Sequence, residues 1–336
     1  MTKPITSTVL ILGARGRFGL ATARAFSAAG WRVLGQTRSG AAIPGDAPPG
    51  MQWLGISLDD TPALVAATQG AEVVVHALNP SAYTFKAWRK EVQPMAAAAI
   101  TITRALNATL MMPGNVYNFG AGMPACLRED TPQLAQTVKG QVRIQLEQQL
   151  AASGVPCVVI RAGDFFGSGA NSWFDMFLVK NIKKGQLIYP GHRDVATAWA
   201  YLPDLARSFV AVAERRATLA TFEVLHFAGS SLTGQEWLAA LQPLAQAQGW
   251  VSAGRALKFS RLPWPFVRMA APFVPTWASL MEMRYLWDTP HALVNDKLTA
   301  LIGVEPQTPL ALAVQQSMAD LGLLPERPQV SPLVMA

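Results

Sequence analysis

The sequence predicts an α/β fold: a doubly wound parallel sheet followed by a smaller, mainly helical C-terminal lobe. Three observations predict it. Short apolar runs alternate with longer helical patterns over the first two thirds of the chain, the pattern left by βαβ units. A glycine-spaced turn follows the first apolar run directly. Beyond Gly163 the texture shifts to Trp, Phe, Met and Pro, as insertions would that build a lobe over the carboxyl ends of the strands, where open α/β sheets bind ligands.

Candidate strands are, in order, Thr8–Leu12, Arg32–Gln36, Gln52–Ile56, Glu72–Ala77, part of 109–118, Cys157–Arg161 and Glu223–Phe227. The intervening helices have readable ends. Pro94 can open the helix "PMAAAAITITRALNAT", because the first helical position has no use for the missing N–H. Thr233-Gly-Gln-Glu236 has capping-box spacing ahead of "WLAALQPLAQA", so hydroxyl and carboxylate can satisfy free amides reciprocally. Val138, Val142, Leu146 and Leu150 recur at helical spacing and predict an apolar stripe against the sheet. The expected organisation is a nucleotide-binding core over 1–165, with 195–230 returning to it, and a substrate lobe from 166–194 and 231–330.

With 51% hydrophobic and 15% charged residues, the 336-residue chain reads as a packed globule rather than a disordered one. The net charge of +7 is dispersed, with no block of like charges, so no nucleic-acid partner is expected. An anionic cofactor accounts for part of the positive charge. Cys126 and Cys157 are the two cysteines, the second within the apolar run "GVPCVVI", which argues against a disulfide framework. The N-terminal apolar run ends in a glycine turn rather than a cleavage site. The apolar stretch "LPWPFVRMAAPFVPTWASLMEM" is broken by Pro263, Pro265, Pro272 and Pro275 and carries Arg268. It therefore falls short of the ~20 uninterrupted apolar residues of a membrane span. The expectation is a cytoplasmic monomer or homodimer with a small-molecule substrate and no membrane partner. No metal-ligand spacing is present.

"VLILGARGRFGLATARAF" places Gly13, Gly16 and Gly19 between an apolar strand and an amphipathic helix, with Arg15, Arg17 and Phe18 among them. Gly13 permits the tight turn, Gly16 the approach of backbone amides to a pyrophosphate, and Gly19 close helix–strand packing: a Rossmann-type dinucleotide site. The helix N-terminus then faces the anion with free N–H groups and a favourable dipole. The second strand ends in "VLGQTRSG", without the acid that would hold an NAD ribose. Thr37, Arg38 and Ser39 stand there instead, and an arginine can clamp a 2′-phosphate, so NADP is expected over NAD.

With those residues in place, the chain resembles the extended and atypical short-chain dehydrogenase/reductase superfamily, which includes NAD(P)-dependent epimerase/dehydratases. The resemblance runs through "AEVVVHALNP", "CVVIRAGDFFG", "AYLPDLARSFV", "FEVLHFAGSSLTGQEW" and "KLTALIGVEPQTPLALAV". It implies cofactor contacts at Ala77, Leu78, Asn79 and Ala162. The superfamily's Tyr-x-x-x-Lys should lie ahead of Glu147, but Lys139 and Arg143 occupy those places. Locally, Lys139-Gly-Gln-Val-Arg-Ile-Gln-Leu-Glu147, with Phe119-Gly120 before it, is similar to the Lys-x-x-Ile-Arg-x-x-Ile-Glu helix of isoflavone reductase-like enzymes. That similarity implies Lys139 as acid/base and Arg143 as its catalytic neighbour beside the cofactor.

Two readings of the stripe 139–143–147 stand side by side. Arg143 and Glu147 form an i,i+4 pair on a solvated face, with Lys139 an ordinary surface lysine. Alternatively, partial burial and Arg143 lower the Lys139 pKa into the range useful for proton transfer. His76 reads as a packed residue. Tyr83, Tyr117, Asn118, Asp164, Trp173 and His192 are the expected substrate contacts, and the bulky lobe points to an apolar or aromatic substrate. The leading expectation is an NADP-dependent oxidoreductase acting on a small, largely apolar carbonyl-type substrate. The alternatives are a nucleotide-binding sensor without catalysis and an epimerase/dehydratase with unconventional residues.

Overall fold

The computed structural model describes residues 7–324; the outer ends of the two expected domains, 1–6 and 325–330, lie outside these residues. In chain order the strands are β1 (Thr8–Leu12), β2 (Arg32–Gln36), β3 (Gln52–Leu54), β4 (Val73–His76), β5 (Thr109–Gly114), β6 (Cys126–Leu127) and β7 (Cys157–Arg161). There follow β8 (Asp164–Phe166), β9 (Gln186–Tyr189), β10 (Thr197–Tyr201), β11 (Phe222–His226), β12 (Ser230–Leu232), β13 (Lys258–Arg261) and β14 (Ala292–Leu293). The core helices are α1 (Arg17–Ala28), α2 (Thr61–Ala67), α3 (Phe85–Leu106), α4 (Val138–Ala151) and α5 (Leu202–Glu214). The later ones are α6 (Gly234–Ala247), α7 (Trp264–Ala270), α8 (Pro275–Glu282), α9 (Tyr285–Asp288), α10 (Asp296–Ile302) and α11 (Leu310–Asp320).

The central sheet is seven-stranded and parallel, in the order β11-β7-β5-β4-β1-β2-β3. Helices cover both faces, so the middle strands are buried throughout. That is why they read as continuous apolar runs rather than alternating ones. One face packs with α3 and α4 through Trp88, Val92, Ile100, Leu146 and Leu150; the other packs with α1 and α5 through Phe18, Phe26, Leu205 and Phe209. The chain order reverses between β1 and β4, and a crevice at such a switch point is where this architecture binds ligands.

All seven expected strands form: Thr8–Leu12, Arg32–Gln36 and Cys157–Arg161 with the expected bounds, the strands at 52 and 72 shortened by two residues, the last shifted by one to Phe222–His226, and the strand in 109–118 stopping at Gly114. The capping box at Thr233 and Glu236 is present on both sides. Pro94 does not open a helix. It lies inside α3, which starts after Thr84, whose hydroxyl accepts from Ala87 N. The buried face formed by Trp88, Val92, Ala96, Ala99 and Thr103 extends to both sides of the proline, and its packing outweighs a cost of about 3 kcal/mol for an internal proline.

Beside the main sheet lie two small sheets, β12-β10-β8 and β13-β9; β10 falls within 195–230, the stretch expected to return to the core, and pairs with β8 and β12 rather than with the main sheet. The lobe's aromatic core holds Phe166 edge-on to Trp237 at 5.2 Å and Trp199 edge-on to Trp237 at 5.0 Å. Within the stretch 231–330, α10 packs back against α5 and β11 of the main sheet. Among the described residues no helix is long and apolar enough to cross a membrane, and no group of His, Cys, Asp and Glu could hold a metal ion.

Candidate active site

The glycine turn shows why side chains are absent from it. Gly13 has φ +76°, and a Cβ there would sit 3.0 Å from Ala77 O and 3.1 Å from Leu78 Cδ2. A Cβ on Gly19 would meet Gly13 O at 2.5 Å and Ala14 Cα at 2.9 Å, so α1 abuts the turn as closely as backbone allows. Gly16 caps α1 with no side-chain hydrogen bond, and Arg15 and Gly16 are exposed. The first turn of α1 thus keeps amides for an external anion. These features fit the pyrophosphate of a dinucleotide.

Not every residue expected at the cofactor is free for it. Phe18 turns its ring into the core, edge-on to Phe209 at 4.9 Å, leaving only its backbone for a ligand. Arg17 donates to Gly167 O at 2.7 Å and Asn171 O at 3.3 Å, tying the 167–171 loop to the turn. Burial lowers its pKa to about 10. Ala162 points into the core behind β7. Thr37 is buried, its N–H bonded to Leu54 O. Arg15, Arg38 and Asn79 are exposed and remain available. Gln36, which the sequence reading passed over, locks the turn: its Oε1 accepts from Gly13 N at 3.1 Å while its Nε2 donates to Ile56 O at 2.9 Å.

The second constellation hangs on the start of α4. Thr137 caps the helix by accepting from Gly140 N at 3.1 Å, and Glu282 of the lobe accepts from the amides of Val138 and Lys139. A Cβ on Gly140 would lie 2.6 Å from Tyr117 O, so the helix presses on the segment after β5. Lys139 is thereby driven inside, with 0% exposure. Its Nζ stands 4.0 Å from the Tyr83 ring centroid, 4.9 Å from Phe85 and 5.4 Å from Trp88, and makes no hydrogen bond.

Both sequence readings of the 139–143–147 stripe need correction. Arg143 and Glu147 do not pair, because the face is not solvated. Glu147 is buried and paired instead with Arg161 of β7, at 2.6 Å from Nη2 and 3.1 Å from Nε. The Lys139 pKa is lowered to about 8 by burial, while Glu282 opposes the shift; Arg143 is not a cause. Asn118 also belongs to the Arg161 network rather than to the pocket: with its amide suitably turned it donates to Asn115 O at 2.9 Å and accepts from Arg161 Nε at 3.2 Å.

Arg143 is left without its expected carboxylate. Its guanidinium lies over Trp88 at 5.3 Å, its Nε has no partner, and burial lowers its pKa. Nearby, His76 closes β4 with neither ring nitrogen bonded. Burial first, then Arg143, lowers its pKa to about 4, which keeps it neutral. Burial, with Tyr117 adding to it, raises the Tyr83 pKa well above the usual phenol value; burial and then Asp164 do the same for Tyr117. Asp164 accepts from Trp287 Nε1 at 3.2 Å, and burial raises its pKa to about 7 against the pull of the Trp287 and Trp173 hydrogen bonds. Trp173 precedes a single π-helical turn, Phe174–Leu178, rather than a regular helix. It meets Tyr83 edge-on at 5.5 Å and Trp287 edge-on at 5.1 Å.

Tyr83, Tyr117, Trp173 and Asp164 thus come together with Lys139 and Arg143, and Phe85, Trp88, Trp287 and Glu282 join them unannounced. His192 does not: it is exposed, 3.4 Å from Arg261 Nη2 and 3.8 Å from Asp288 Oδ1. Unsatisfied buried polar groups are rare and call for a reason. Here His76, Tyr83, Lys139 and Arg143 all hold such atoms, in a low-dielectric setting beside the switch-point crevice. A cationic amine near its pKa at neutral pH, flanked by phenols and a guanidinium, can donate a proton to an oxygen that is gaining negative charge.

A family model described as the RmlD substrate binding domain matches residues 7–247. No curated protein matches the sequence. Among solved structures, the Bordetella bronchiseptica enzyme WbmH in complex with NAD+ is similar at 18% identity and a TM-score of 0.70, over 94% of this chain and 98% of that one. UDP-glucose 4-epimerase from Thermotoga maritima, solved with UDP-glucose, is similar at 12% identity and 0.69, over 93% and 98%. TunA, an NAD-dependent NDP-hexosamine 5,6-dehydratase of tunicamycin biosynthesis, is similar at 17% identity and 0.67, over 94% and 97%. At these identities the likeness concerns the fold.

Proposed function

The chain belongs to the RmlD substrate binding domain family, within the extended short-chain dehydrogenase/reductase superfamily, and from that premise we propose that it is an NADP-dependent oxidoreductase reducing a small, largely apolar carbonyl compound. The observation that carries this reading is the enclosed, unpaired Lys139 amine among Tyr83, Phe85 and Trp88. The nicotinamide, when bound, supplies the hydride. The dinucleotide's phosphates would lie on the amides at the start of α1, with exposed Arg38 and Arg15 to meet a 2′-phosphate.

Lys139, protonated below about pH 8, then delivers a proton to the carbonyl oxygen. Arg143 faces the same interior and stabilises negative charge developing there. Tyr83 and Tyr117, held neutral by burial, donate hydrogen bonds without becoming bases. The aromatic walls of Tyr83, Phe85, Trp88 and Trp173 suit an apolar substrate. Because Lys139 is fully enclosed among Tyr83, Phe85 and Trp88, a substrate reaches Nζ only after side chains around it move. The full enclosure of Lys139 is also the observation that favours a second reading, a nucleotide-binding regulatory protein without turnover.

Calorimetric titration with NADP+ and NAD+ tests the cofactor assignment. NADP+ is expected to bind more tightly, and Arg38→Ala to reduce that preference about tenfold or more, since a charge-assisted bond contributes roughly 1.5–3 kcal/mol. An unchanged preference removes Arg38 from the assignment; no binding of either nucleotide removes its premise.

A further inference from the structure

Between Glu236 and Glu282 the sequence has no acidic residue, yet Arg255, Lys258, Arg261 and Arg268 fall within that stretch. It also contains "PWPFVRMAAPFVPTW", which folds as the short hairpin α7–α8. The inward side of the hairpin is anchored: Trp264, Val267 and Leu280 are buried, and Trp264 Nε1 donates to Pro190 O at 2.6 Å. The outward side is apolar. Phe266 is 53% exposed, Met269 68% and Phe273 85%. Phe266 and Met269 are one turn apart on α7, Phe266 packs on Trp277 at 5.7 Å, and Phe273 sits in the connecting turn.

Eight large apolar side chains are exposed among the described residues, and these three fall within the span 266–273. Single exposed apolar residues are ordinary; a cluster on one tip marks a contact surface. Beside the tip, Arg261, Trp264, Pro265 and Arg268 line a cavity of about 290 Å³ with Arg284. Arg284 is paired with Asp288 at 3.0 Å and stacks over Trp264 at 5.2 Å. Arg261 has only His192 beside it, and the Arg268 guanidinium makes no hydrogen bond or ion pair among the described residues.

We propose that the α7–α8 tip is a peripheral docking surface for an anionic phospholipid bilayer. Phe266, Met269 and Phe273 enter the boundary of the acyl chains while Arg261 and Arg268 meet headgroup phosphates. The two helices have 7 and 8 residues, far too few to span a bilayer. Apolar side chains rimmed by unpaired cations are complementary to a surface that is hydrocarbon below and anionic above. A second copy of this chain would bring the same cations face to face across a two-fold interface. A nucleic acid would engage the arginines and leave the phenylalanines in water. The absence of a membrane-crossing helix restricts a span and leaves this mode open.

Flotation of the purified full chain with vesicles of phosphatidylcholine alone, or of phosphatidylcholine with phosphatidylglycerol, tests the proposal at about 0.1 M and about 0.5 M salt. The protein is expected to float with the anionic vesicles, at least about tenfold more weakly without phosphatidylglycerol or at the higher salt. The triple variant Phe266→Ser, Met269→Ser, Phe273→Ser and the double variant Arg261→Glu, Arg268→Glu are each expected to lose binding about tenfold or more with unchanged thermal melting. Wild-type protein that stays behind, or a triple variant that floats like wild type, overturns the proposal. So does a lipid-indifferent dimer that the triple variant converts to a monomer, which would assign the tip to a second copy.

Discussion

Replacing Lys139 by methionine should stabilise the protein. The two side chains have similar length, so the change removes the charge and keeps most of the packing. Burial lowers the Lys139 pKa from 10.5 to about 8, which means that the folded state disfavours the protonated amine relative to the unfolded chain. Below about pH 8 both states carry the proton and the full cost of enclosing the cation is present. Between about pH 8 and 10.5 the folded state releases its proton first, so stability rises with pH; above that window both are neutral and the dependence vanishes. At 1.36 kcal/mol per unit the cost is at most about 3 kcal/mol. Screening near Glu282 and the lost ring contacts, about 1 kcal/mol, leaves a net gain of about 1–2 kcal/mol for Lys139→Met at pH 7. Thermal melting followed by tryptophan fluorescence should show a rise of a few degrees, shrinking as the buffer is taken from pH 8 to pH 10. A variant less stable than wild type, or a difference that is the same at pH 7 and pH 10, would refute the electrostatic account.

Two further outcomes follow from contacts elsewhere. Gly19→Ala places a Cβ 2.5 Å from Gly13 O, which forces α1 off the turn, so NADP+ affinity should fall by at least about tenfold in a titration. Arg161→Met leaves the buried Glu147 carboxylate without its guanidinium and should cost about 3–5 kcal/mol in urea unfolding, whereas the double change with Glu147→Met should recover much of the loss.

The legible part of this chain is the part governed by local or strongly periodic physics. Strands buried on both faces must be apolar throughout, so Val9–Leu12 and Val73–Val75 stood out. The backbone approach at Gly13 and Gly19 tolerates no side chain, and the Thr233 capping box is complete within four residues. The site was legible as an unusual Lys139 with Arg143, Tyr83, Tyr117, Trp173 and Asp164, but not how they enclose it. Its surroundings come from distant segments: Tyr83, Phe85 and Trp88 at the entry to α3, and Glu282 separated by 143 positions. Glu147 shows the limit most sharply. Spacing allowed a pair with Arg143, but burial selected Arg161, whose fork reaches both carboxylate oxygens. Pro94 misled for the same reason, since the packing of α3 on the sheet overrides a local signal.

The central claim, that Lys139 is the proton donor of a hydride transfer, is tested most directly by the pH profile of NADPH oxidation with a panel of aromatic and aliphatic aldehydes and ketones. With a reactive substrate in hand, kcat/KM for reduction should be level below about pH 8 and fall above it as the amine loses its proton. Lys139→Met should lower kcat/KM about 10²–10⁴-fold with NADPH affinity unchanged. Undiminished turnover in Lys139→Met, or a profile that crosses pH 8 without a break, would contradict the account.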